Sequence, residues 1–204
     1  MIFVPQSFSI DNAPNPDTIA KAIEHIGRVC YKSEKRITPD SADRFVQNLI
    51  KRGHESVLEH HSITVNIIIT DRAIANELVR HRVAAYTQES TRYCNYTGEG
   101  IIFIKPLNMK DPVSLSIYTS VAKMAEERYN ALIELGETPE AARDVLPLMT
   151  ATNIIATCNL REWRHILRLR TDKAAHPKMR GLMQGILKQF KILYPVIFED
   201  IKGE

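Results

Sequence analysis

Residues 62–70 read SITVNIIIT, with Ile63, Val65, Ile67 and Ile69 alternating against Ser62, Thr64 and Asn66. A period of two puts the aliphatic set on one face of a pleated strand. One strand with one apolar face cannot stand alone in water. It needs neighbouring strands and a second layer to cover that face. Whatever else this chain forms, it must form a sheet.

Most of the remaining patterns are helical. Apolar residues recur at helical spacing over 17–31. Residues 38–54 open on Thr38-Pro39 followed by acids and close on Gly53, which predicts a helix with Thr38 as N-cap and Pro39 in its first position. Asp71 can cap a helix running through 72–82. Residues 83–99 show no period and predict a long loop, followed by a short strand over 101–104 that Pro106 closes. Residues 111–136 predict one long helix ending at Gly136, and 138–146 repeats the Thr-Pro start and stops before Pro147. Residues 150–158 fit a strand or a helix extension, and 159–171 and 177–193 predict two further helices. The fold class is α+β, helix-rich with few strands, and no linker divides residues 1–204, so a single domain is expected.

Composition narrows the function. Lys and Arg number 27 against 24 Asp and Glu, a formal charge of +3, too small for a general nucleic-acid or membrane-surface binder. No stretch approaches the length of a membrane span, and MIFVPQSFSI lacks the charged start and long apolar centre of a secretory signal. The cysteines, Cys30, Cys94 and Cys158, are widely spaced and form neither a disulfide framework nor a CxxC site, so a reducing, cytoplasmic setting is expected. The glycines show no dinucleotide-binding or P-loop spacing, so any nucleotide must be held by side chains.

The cations are local. Arg80, His81, Arg82 and Arg92 surround a short polar run, and like charges gathered this way imply something anionic among them. At the end of a helix they could equally complement its dipole, as could Arg143 before Pro147. In NLREWRHILRLR (159–170), Leu160, Trp163, Ile166 and Leu167 share one face and Arg170 falls in the same arc, while Arg161, Arg164, His165 and Arg168 lie around the other side. A guanidinium in an apolar arc must find an anion or reach water. GHESVLEHH (53–61) gathers His54, Glu59, His60 and His61, but its H-E-x-x-x-E-H spacing fails the helical zinc motif, and no metal is expected.

Together these segments resemble the flavin-dependent thymidylate synthase family. Arg80-His81-Arg82 with Ser90, Arg92 and Tyr93 is similar to its R-H-R-x-x-S-x-x-x-x-S-x-R-Y signature. GHESVLEH resembles its G-H-E-x-x-x-E-H segment, AARDVLP its A-R-x-x-L-P element, and NLREWRHILRLR its C-terminal N-x-R…L-R helix. Ala85 stands where the signature has its first serine, Thr87 and Gln88 where many members carry Asn and Glu, His165 where Asn is frequent, and Glu77 where Gln is frequent.

The resemblance implies a small central, mostly antiparallel sheet with flanking helices, a homotetramer with shared active sites, and conversion of dUMP to dTMP. Methylenetetrahydrofolate would donate the carbon, FAD would carry redox equivalents, and NADPH would reduce. Carried over residue by residue, Arg80, His81, Arg82, Gln88, Asn159, Arg161 and His165 would contact FAD, with His54, Ser56 and Glu59 close to flavin or folate. Glu77, Gln88, Glu89, Ser90, Thr91 and Arg92, with Arg80 and Arg143, would form the dUMP site, and Arg170 would meet the uracil ring as the catalytic group. Two bound phosphate-bearing ligands would explain the clustered arginines. The competing readings are a non-enzymatic nucleic-acid binder, against which the weak net charge and few aromatics count, and a nucleotide-binding homologue without activity.

Overall fold

The computed structural model describes residues 1–107 and 109–203. In chain order the elements are β1 (Ile2–Val4), β2 (Ser7–Asn12), α1 (Pro16–Val29), α2 (Ala42–Lys51), β3 (Ser62–Asp71), α3 (Arg72–Leu78), β4 (Ala84–Gln88), β5 (Ile102–Ile104), α4 (Val113–Glu134), α5 (Pro139–Ala142), β6 (Ala151–Asn159), α6 (Leu160–Arg170), α7 (Pro177–Leu193) and α8 (Pro195–Phe198). Short 3-10 segments cover Glu34–Arg36, Glu55–His60 and Arg143–Val145. The α+β class is observed. The larger sheet is antiparallel, in the order β2-β3-β6-β4. β1 and β5 pair in parallel, with Phe3 opposite Phe103.

Several local expectations are corrected. Residues 84–88, expected in a loop, form β4: its side chains alternate between partial burial and exposure, too weak a contrast to read as a period. β1 and β2 were not expected from the sequence. α2 begins at Ala42, not at Pro39. The Ser41 hydroxyl donates to the buried Glu24 carboxylate at 2.8 and 2.9 Å, and its Oγ accepts from the Thr38 amide, tying residues 38–41 into a turn before the helix. The second Thr-Pro pair behaves as expected, since the Thr138 hydroxyl accepts from the Ala141 amide and caps α5. Asp71 caps α3 through the Ile74 amide at 2.9 Å, but that helix stops at Leu78, so Arg80, His81 and Arg82 lie beyond its last turn.

The chain forms two compact units. One comprises Met1–Ser9, Asn66–Arg80 and Tyr86–Ala156. In it the inner face of α4, Ala122, Ala125 and Tyr129, packs with Ile101 and Phe103. The outer face of α4 leaves Val113, Ile117, Tyr118, Val121 and Met124 exposed.

The other unit comprises Ile10–Val65, His81–Ala85 and Thr157–Glu204. α6 buries Leu160, Trp163, Ile166 and Leu167, the face its spacing predicts. The Trp163 indole donates to the Ile63 carbonyl at 2.9 Å and meets the Phe190 ring edge-on at 5.5 Å. The position of Arg164 is a correction: expected on the solvated side of the helix, it is wholly buried, while Arg170 is half-buried. Arg164 lies four residues after Leu160 and three before Leu167, inside the apolar face. Its guanidinium donates to both Asp200 oxygens at 2.7 Å, to Glu55 at 3.2 Å and to the Ile197 carbonyl. It ties the C-terminal segment and the 55–60 turn to α6.

Candidate functional site

In the unit containing α6, the site starts at Asn159, whose Oδ1 accepts from the Glu162 amide at 2.9 Å and caps the helix. That cap presents Arg161, Glu162, His165 and Arg168 along the less buried side of α6. His81 is buried beside the C-terminal end of that helix, and Arg170 Nε donates to its Nε2 at 2.9 Å. An Nε2 that accepts must carry no proton, so the hydrogen sits on Nδ1, which faces Glu162 Oε1 at 3.8 Å. The His165 ring stands edge-on to His81 at 5.9 Å. Burial first, then the Arg170 charge and then His165, lower the His81 pKa to about 4. His81 is therefore neutral at pH 7 and serves as a fixed acceptor that orients Arg170.

Beside this pair lies a cavity of about 530 Å³ lined by Glu55, Glu59, Val83, Asn159, Arg161, Glu162, His165 and Arg168. That volume falls in the range of small-molecule sites. Arg161 bonds Glu59 at 2.5 Å, and Arg168 bonds Glu55 at 3.1 Å. Arg161 also lines a cavity of about 230 Å³ with His54, Ser56, Cys30 and Tyr31. The Tyr31 hydroxyl lies 3.5 Å from His54 Nδ1. Arg82 is exposed and has no ionic partner among the described residues. His81, Glu162 and His165 bring one ligand atom each within 4.8 Å of one another, yet the Arg170 guanidinium against His81 opposes a cation there.

In the other unit, β4 delivers Gln88, whose amide donates to Thr152 Oγ1 at 3.2 Å. Glu89 follows and is deeply engaged: its carboxylate accepts from the Tyr96 hydroxyl and from the Asn153 amide, and its carbonyl accepts from Arg72. Burial, reinforced by that bond to Glu89, raises the Tyr96 pKa. Glu89 thus fastens the loop after β4. Ser90 turns the chain, its Oγ accepting from the Arg92 amide. Arg143 donates to the buried Thr91 hydroxyl at 3.3 Å, and Arg92 pairs with Glu140 at 2.6 Å, both half-exposed. Arg80 is exposed at the end of α3 and Glu77 is half-buried.

Glu162, Glu55 and Val83 were not singled out from the sequence, and Arg168 was read only as a residue on the outer side of its helix. Glu162 was legible as an acid three residues after the Asn159 cap and three before His165, on the same side of the helix. Val83 carried no signal, because only the fold places it on the cavity wall.

A family model described as thymidylate synthase complementing protein matches residues 10–196. The chain is 32% identical to a flavin-dependent thymidylate synthase from Geobacter sulfurreducens, over 94% of this chain and 84% of that one. It is 31% identical to the protein of the same name from Mycobacterium tuberculosis, over 98% and 84%. In three dimensions it is similar to the UMP/dUMP methylase PolB from Streptomyces cacaoi, solved with 5-Br dUMP, with a TM-score of 0.81, 23% identity, and coverage of 98% and 96%. That structural likeness shows the shared fold.

Proposed function

Because this chain belongs to the flavin-dependent thymidylate synthase family, we propose that it methylates dUMP to dTMP, with methylenetetrahydrofolate as carbon donor, FAD as redox carrier and NADPH as reductant. The observation that carries the reading is the Arg170–His81 pair, a half-buried guanidinium aimed by a neutral imidazole. Arginine fixed this way can hold the N3/O2 edge of uracil and stabilise negative charge there. That raises electron density at C5, the carbon that gains the one-carbon unit.

The cavity residues fit a flavin. A planar ring with polar edges needs donors and acceptors beside an apolar wall, which Asn159, Arg161, His165 and Val83 offer. The exposed Arg82, without an ionic partner among the described residues, suits a pyrophosphate. Bound there, FAD would supply hydride transfer. His54, Ser56 and Glu59 would stand on the folate side. Arg143 with Thr91, Arg92 with Ser90, and Arg80 would take the dUMP phosphate, Arg92 leaving its solvent-screened pair with Glu140 to do so. Gln88, Glu77 and Glu89 would act around them, Glu89 by holding the loop.

No cysteine need attack the uracil ring. Cys158 is buried, and burial followed by the nearby Glu162 raises its thiol pKa, away from thiolate chemistry. The exposed aliphatic face of α4 suits a homotetramer in which one functional domain per copy contributes to shared sites.

Purified protein should be yellow, and dUMP labelled at C5 should release its label when FAD, NADPH and methylenetetrahydrofolate are present. Colourless protein that takes up no FAD sinks the reading. Steep salt-dependent affinity for RNA or DNA without turnover would favour the nucleic-acid binder instead.

A further inference from the structure

A larger cavity, of about 950 Å³, lies between the C-terminal end of α1, the 32–36 turn and α2. Its lining carries Arg28, Lys32, Lys35, Arg36, Arg44 and Arg52 against one acid, Asp40. Arg28 is neutralised by the buried Glu24 at 2.7 Å and lies over the Phe45 ring at 4.3 Å. The other five cations have no ionic partner among the described residues. Phe45 forms part of the wall because Gly27 makes room for it: a Cβ on Gly27 would stand 2.7 Å from the ring. Lys32 adopts φ 47°, a left-handed conformation that glycine takes freely, so its place in the lining is kept against backbone preference.

We propose that this basin binds a linear polycarboxylate, the γ-linked glutamate tail that reduced folates carry. The proposal rests on the function proposed above and names a second part of the same co-substrate's site. Arg44 and Asn48 on α2 and Arg52 just past its end line the same basin, and eight residues at helical rise extend about 12 Å. Such a row suits successive carboxylates along a chain better than one compact phosphate. The basin also shares Tyr31 and Leu49 with the smaller cavity that holds His54 and Ser56. A folate whose ring reaches His54 would have its tail directed over Tyr31 into the basic row.

Flavin-loaded protein is titrated with tetrahydrofolate monoglutamate, tetrahydrofolate pentaglutamate and free penta-γ-glutamate, with affinity read by calorimetry at two salt concentrations. The pentaglutamate should bind at least about tenfold tighter than the monoglutamate, with the gap narrowing as salt rises. Free penta-γ-glutamate should bind weakly but measurably. In the Arg44→Gln/Arg52→Gln variant, at exposed positions with a good helix former, the gap should shrink to about twofold. The monoglutamate Kd and the flavin spectrum should stay unchanged. Equal Kd values for the two folates in the unsubstituted protein, or a gap that survives the substitutions, overturns the proposal. So does a variant whose main defect is a raised KM for NADPH, which would assign the basin to the dinucleotide phosphate. Protein that turns over the monoglutamyl co-substrate without preference for tail length keeps the proposed function and loses the basin. Protein that takes up no flavin loses both.

Discussion

Arg170 and His81 each set the state of the other. The imidazole, held neutral first by burial and then by the neighbouring guanidinium charge, accepts from that guanidinium and aims it. The ordinary histidine pKa of 6.5 falls to about 4 in the folded chain. The unfolded chain therefore binds more protons between those values. The stabilising contribution is complete above pH 6.5 and is lost as pH falls through about 4, amounting to about 3 kcal/mol as an upper bound. Denaturant melts at pH 4 and pH 7 should show this difference, reduced in His81→Asn. Imidazole NMR of Arg170→Ala should place the His81 midpoint higher than about 4 yet still below 6.5, because burial, the larger cause, remains. A midpoint unchanged by Arg170→Ala would show that the guanidinium does not act on His81. The same variant should lose turnover by about a thousandfold and keep its flavin spectrum, and near-normal turnover would identify the wrong arginine. Cys94→Ala should remain active in the label-release assay.

Among the elements, α6 carries the largest burden. Its apolar positions were legible from spacing alone, since a period of 3.6 residues needs no partner to be recognised. The fate of its arginines was not. A guanidinium reads the same in a sequence whether it meets water or carboxylates, and the partners of Arg164 lie 109 residues away at Glu55 and 36 away at Asp200. Burial alone would raise the Asp200 carboxyl, but the Arg164 hydrogen bonds and charge outweigh it and hold the carboxyl below its ordinary range. Arg164→Ala strands these acids and should cost about 3–5 kcal/mol of unfolding free energy. Asp200→Asn should cost less, because Glu55 still faces the guanidinium. The Thr-Pro pairs teach the same point: Thr138 caps α5 with no help, whereas the Thr38 turn is diverted by a bond from Ser41 to Glu24, 17 residues distant. Local chemistry decides a helix start only where no distant group competes.

For the whole molecule, the exposed stripe of α4 is the feature least consistent with an isolated chain. Ile117, Val121 and Met124 recur at intervals of four and three residues and are 62, 44 and 55% exposed, while the opposite face of the helix is buried. Covering that stripe with copies of the chain would remove it from water. Val121→Asp combined with Met124→Lys should lower the particle mass in sedimentation experiments and reduce turnover with it. A mass unchanged by both substitutions would show that this stripe is not covered by a second copy of the chain.

The sequence by itself determined the α+β class, the strand at residues 62–70, most helix boundaries and membership of the family, because periodicity, caps and motif spacing are properties of neighbouring residues. Only the tertiary structure decided that Arg164 rather than Arg170 is the buried cation, that His81 is neutral, and that β4 lies in an aperiodic stretch. It also decided which cations end in the basin beside α2. Each of those depends on which charges and dipoles lie within a few ångströms, and that distance is set by chain segments far apart in sequence.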